Sequence, residues 1–176
     1  VYAVPTLRKA DGVVLFVTRA QALDPRMRTS HAVTDLCARL DNLPLALELA
    51  AARTVVFSPE QLLDRLSERL DLLKAGRDAD PRQQTLRATI EWSYDLLEEP
   101  ERRLFRGFSV FAGGCSYAAV EAVCEADPDT LQSLLDKSLL RKRESEAGPR
   151  YWMLETVREY GVERLEAAGE AQDLHR

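Results

Sequence analysis

Leu40-Asp41-Asn42-Leu43-Pro44-Leu45-Ala46-Leu47-Glu48-Leu49-Ala50-Ala51-Ala52 sets a proline inside an otherwise helical pattern. Proline lacks a backbone N–H and clashes with the preceding turn, so it costs roughly 3 kcal/mol inside a helix and almost nothing in the first turn. The stretch therefore reads as two helices. One starts at Thr29 or Ser30 and runs through Leu36 to Leu40; the next starts at Leu43 or Pro44, with Asn42 or Asp41 as N-cap. Pro44 then stands on a tight corner, which either only separates two helices or offers a rigid apolar surface to a flat ring such as a nucleotide base. The helix after it is apolar nearly all round as far as Arg53, with Glu48 its one charge, so it is expected at the centre of the first unit with Glu48 paired or at an edge.

Helical periodicity extends outward from this corner. Val13, Val14, Phe16 and Val17 share one side of residues 12–22. Ser58-Pro59-Glu60-Gln61 is a start signal, with Ser58 as cap, Pro59 at the first position and Gln61 three residues after the cap, for a helix through Leu62, Leu63, Leu66 and Leu70. Residues 76–82 break the periodicity and divide the chain, giving an initial strand or loop at 1–10, a helical domain at 11–80 and a second domain at 81–176. The second domain reads as a helix bearing Thr85, Leu86, Ile90 and Tyr94, then a helix from Glu99 to Phe108. A short strand at Phe108-Ser109-Val110-Phe111 follows, then helices capped by Ser116 and Asp127. Strands at 139–143 and 150–153 form a hairpin, and a last helix runs from Glu155 to Ala168. Helices followed by a hairpin and a closing helix are the order of a winged helix, so the fold class expected is mainly α, with a small β-hairpin.

Asn42-Leu43-Pro44-Leu45-Ala46 resembles the "GLPLA" motif of the STAND signalling ATPases, the group that includes the NB-ARC proteins, and especially their large bacterial transcriptional regulators. Further matches occur in family order: Tyr2-Ala3-Val4-Pro5-Thr6-Leu7, Arg82-Gln83-Gln84-Thr85-Leu86, Ile90-Glu91-Trp92-Ser93-Tyr94, Phe108-Ser109-Val110-Phe111-Ala112-Gly113-Gly114 and Leu154-Glu155-Thr156-Val157-Arg158-Glu159-Tyr160. The resemblance implies a helical lid followed by a winged helix, in which Pro44, flanked by Asn42 and Leu43, packs on the adenine of ADP or ATP and Pro5 closes the nucleotide core. It also implies a nucleotide-sensing switch whose partners are an upstream core and downstream sensor or effector domains. The family's "MHD" histidine, which touches the β-phosphate, aligns with Leu154 and its aspartate with Glu155. Leucine cannot donate a hydrogen bond, so only Glu155 at a helix N-terminus, or Arg150 or Arg158, could take part.

No G-x-x-x-x-G-K-[ST] loop and no apolar strand ending in paired acids is present, so the chain is expected to be a fragment without ATPase activity of its own, holding nucleotide only together with the missing core. Cys37, Cys115 and Cys124 lack C-x-x-C spacing and read as buried free thiols; two histidines leave no basis for a metal site. With no membrane-length apolar run and no signal peptide, a cytoplasmic address is the default. Up to Gln84 the chain carries 12 Lys and Arg against 11 Asp and Glu, and beyond it 12 against 18, so the winged part is the acidic one. The helix that would enter a DNA groove holds Asp127, Asp129 and Asp136 against Lys137, which argues against DNA contact. Lys137 with the wing residues Arg141, Lys142 and Arg143 is the site of the alternative reading, a DNA-binding winged-helix transcriptional regulator.

Overall fold

A computed structural model describes residues 7–74, 80–146 and 148–170, of which 69–74 by their backbone alone. Pro5, most of the expected boundary segment and His175 lie outside the described residues. The chain divides into two compact units, Val1–Ser93 and Tyr94–Arg176.

In the first unit, α1 (Lys9–Gln21) packs against α3 (Pro44–Ala51), and α2 (His31–Arg39) against α1 and α4 (Pro59–Lys74), with a 3-10 turn at Ala52–Val55. Ser30 caps α2 by accepting from the Val33 N–H. The Ser58–Gln61 capping box is complete, the Ser58 N–H donating to Gln61 Oε1 at 3.0 Å and the Gln61 N–H to Ser58 Oγ at 3.3 Å. As its sequence requires, α3 buries every residue from Ala46 to Ala51. Glu48 is paired, its Oε1 lying 2.9 Å from Arg19 Nη2. α5 (Pro81–Asp95) starts at Pro81, where Asp80 caps by accepting from the Arg82 N–H, and buries Thr85, Ala88, Ile90 and Trp92.

The second unit follows the winged-helix order: α6 (Glu99–Phe108), β1 (Cys115–Ser116), α7 (Tyr117–Cys124), α8 (Pro128–Asp136), β2 (Arg141–Arg143), β3 (Arg150–Trp152) and α9 (Glu155–Ala168). The sheet is antiparallel with order β1-β3-β2. α6 packs against α7, α8 and α9, burying Phe105 and Phe108 completely.

The strand expected at Phe108-Ser109-Val110-Phe111 is replaced by the end of α6 and a run of turns. Phe105 and Phe108 keep the helical i, i+3 spacing into the core, Ser109 stays helical as C-cap, and the Phe111 N–H closes on the Phe108 carbonyl at 3.1 Å. The strand of this region is Cys115–Ser116 instead. Gly114 admits the chain to it: its φ is +88°, and a Cβ there would stand 2.4 Å from the Tyr151 carbonyl oxygen.

Candidate nucleic-acid interface and the proline corner

α8 occupies the position at which a winged helix meets a DNA groove. Asp127 caps it, accepting from the Thr130 N–H at 2.9 Å and the Thr130 hydroxyl at 2.6 Å, and these bonds hold the Asp127 carboxyl below its ordinary value. Leu131 and Leu134 turn to the core, so the outward edge carries Asp129, Gln132 and Asp136, spaced i, i+3, i+7 on one face and all exposed. Lys137, the cation at its end, is not offered outward: its Nζ meets Glu101, a nearly buried α6 carboxylate that also accepts from Ser133. This separates Lys137 from the other residues of the expected basic site.

Arg141, Lys142 and Arg143 form β2 itself. Side chains alternate across a strand, so Arg141 and Arg143 share one face and Lys142 takes the other, where it pairs with Glu144 at 3.1 Å. The register brings two further residues to the arginine face, Arg150 opposite Arg143 and Trp152 opposite Arg141. Arg143 lies over the Trp152 ring, 5.4 Å from its centroid, and Arg150 donates to the Gly114 carbonyl at 2.7 Å. Sequence spacing could not join Arg150 and Trp152 to this surface, because strand register depends on the turn. Here Ser145 and Gly148 close it by mutual backbone bonds of 3.2 and 2.9 Å.

At the proline corner, Leu43 rather than Asn42 or Asp41 is the N-cap of α3, and Pro44 is its first residue. Asp41 and Asn42 instead take left-handed backbone, with φ of 53° and 49°. Two such residues in succession turn the chain sharply enough to end α2 and start α3 within four residues. Thr85 holds the corner by donating to Asp41 Oδ2 at 2.7 Å, and the Leu7 N–H donates to the Asn42 carbonyl at 3.2 Å. Asn42, Leu43 and Pro44 are all half-buried. Pro44 therefore keeps part of its surface exposed, whereas Asn42 turns its Oδ1 inward without a hydrogen-bond partner.

The Leu154–Glu155 position does not fit a phosphate. Leu154 is the N-cap of α9 and makes no side-chain cap bond. Glu155 is held by Arg158, whose Nη2 lies 2.6 Å from Oε1, and this bond lowers its pKa. An anion would meet that carboxylate. Cys37, Cys115 and Cys124 are buried free thiols, each pushed up to about 11 by burial. Among the described residues no three His, Cys, Asp or Glu cluster as metal ligands, and no helix is long and apolar enough to cross a membrane.

Residues 97–166 match a family described as a winged helix-turn-helix domain. A putative HTH-type transcriptional regulator of Mycobacterium tuberculosis is 43% identical over 187 aligned residues, which cover 99% of this chain and 21% of that protein. The regulatory protein AfsR of Streptomyces coelicolor is 36% identical over 156 residues, covering 80% of this chain and 15% of that protein. The chain thus spans about a fifth of the length of the first relative it matches. Strand order, helix order and the family match agree: the second unit carries a winged helix-turn-helix domain.

Proposed function

We propose that this chain is the helical and winged-helix segment of a larger transcriptional regulator, and that its winged unit engages a protein surface rather than reading DNA through α8. The names of the relatives support the regulator role. The protein-facing role rests on the outward edge of α8, which offers Asp129, Gln132 and Asp136 while Lys137 is held by Glu101. DNA affinity comes largely from cations that displace counterions at phosphates, and such an edge would be repelled by them.

Direct DNA contact through the wing is the second reading, favoured by Arg141, Lys142 and Arg143 on β2 and by the relatives' HTH designation. Fluorescence anisotropy over a salt series separates the two. A wing holding three phosphates gives a slope of log affinity on log salt near about −3, which falls to about −1 when Arg141 and Arg143 become Ala. The first reading expects weak, sequence-independent binding of smaller slope, and a specific site of nanomolar affinity overturns it.

A nucleotide-sensing role for the first unit is proposed on narrower ground. Pro44 stands half-exposed at the first position of α3 and suits an adenine ring, while ADP or ATP would find its phosphate ligands only on an upstream core.

A further inference from the structure

The face of the wing sheet is charged in a way that folding alone does not require. Arg143 and Arg150 are direct cross-strand neighbours, and like charges placed directly opposite destabilise a sheet. Among the described residues their partners are the Trp152 ring and the Gly114 carbonyl, and neither neutralises a guanidinium. Arg141 and Ser116 lie on the same face by register, whereas the opposite face of β1 and β3 carries the buried Cys115 and Tyr151. A basic surface with an indole at its centre thus stands on a unit that is acidic overall.

The same unit bears the complement of this surface. Asp129 and Asp136 are exposed on the outward edge of α8, joined by Gln132, which donates to Asp136 Oδ1 at 2.7 Å, and Asp127 stands exposed at the helix start. Planar guanidinium groups pair with carboxylates in fork geometry, and the Trp152 ring already orients one of them. We propose that the arginine face of the wing sheet docks the acidic edge of α8 in a second copy of this chain. This deepens the protein-facing reading of the winged unit by naming the partner. Nucleic acid is the competing occupant, and the acidic edge of α8 disfavours it.

Sedimentation velocity of the 176-residue chain tests this without DNA. Association is expected at low salt and is expected to weaken about tenfold or more when salt shortens the screening length to a few ångströms. R143E/R150E and D129R/D136R are each expected to stay monomeric, because acid then faces acid or base faces base. An equimolar mixture of the two is expected to restore association. Arg143→Glu alone, which leaves the Gly114 contact intact, repeats the loss if the double variant unfolds by circular dichroism. Three results overturn the proposal: a wild-type chain that remains monomeric at low salt, folded variants that do not associate when mixed, or association that survives either reversal. Failure here with weak DNA binding intact leaves the protein-facing reading standing and removes only the second copy as its partner. Loss of DNA affinity on R143E without any self-association assigns the face to nucleic acid instead.

Discussion

Lys137→Met decides whether the end of α8 is a structural or a DNA-contacting position. Lys137 is 24% exposed and its partner Glu101 only 9%, so removing the ammonium leaves a carboxylate that is nearly out of water. Breaking a buried pair from one side costs about 3–5 kcal/mol. Glu101 keeps the Ser133 hydroxyl and, at 2.9 Å, the Glu98 N–H, which lowers the expected cost to roughly 2–3 kcal/mol at neutral pH. For a chain of this size that is a fall in Tm of about 4–12 °C. The pH dependence carries a second signature. Burial pushes the Glu101 carboxyl up, but hydrogen bonds from Lys137, Ser133 and the Glu98 N–H outweigh it, so the folded pKa lies below the ordinary 4.5. A folded value below the unfolded one means the pairing contributes its stability above about pH 4.5 and loses it as the pH falls through the folded value. The difference between wild type and K137M is thus widest at neutral pH and closes in acid. Glu101→Gln in the K137M background should recover part of the loss, since no buried charge remains. The reasoning fails if K137M melts within about 0.5 kcal/mol of wild type while DNA affinity drops, because Lys137 would then face phosphate and not Glu101.

The corner gives two further predictions. Gly12→Ala would set a Cβ 2.3 Å from Asn42 Oδ1; the helix gains up to about 1 kcal/mol from alanine but overpacking costs about 1–3, so a net loss is expected in urea unfolding. Asn42→Gly in the same chain removes the obstacle and suits the φ of 49°, so the double variant should regain most of that loss; an unrescued double variant refutes the contact. On the nucleotide-sensing reading proposed above, Pro44→Ala should leave this chain folded, since a first-turn proline can be replaced by a good helix former, and should speed ADP release from a longer protein that contains it. An unaltered ADP off-rate removes Pro44 from any nucleotide site.

Local chemistry made much of the fold legible. Ser30, Ser58, Ser116 and Asp127 each start a helix where a cap residue precedes an apolar period, and Pro44, Pro59 and Pro128 each occupy a first turn. Phe108-Ser109-Val110-Phe111 reads as a strand by its alternation, but alternation over four residues also satisfies a helix end followed by turns, and only the packing of Phe105 with Phe108 against α9 and its neighbours selects the second. Asn42 and Asp41 offered caps by type, yet a cap needs extended backbone, and both are left-handed.

The candidate site was less legible because it depends on partners distant in sequence. Lys137 is a cation by type and a half-buried anchor by position, a distinction set by Glu101, 36 residues earlier on another helix. Arg150 and Trp152 reach the wing surface only through the β2–β3 register. With Lys137 held by Glu101 and Arg150 beside Arg143, the outward edge of α8 is acidic and the outer face of the sheet is basic. On the protein-facing reading proposed above, a winged helix that separates acidic and basic surfaces in this way would favour a partner carrying charge of both signs over a uniformly anionic duplex.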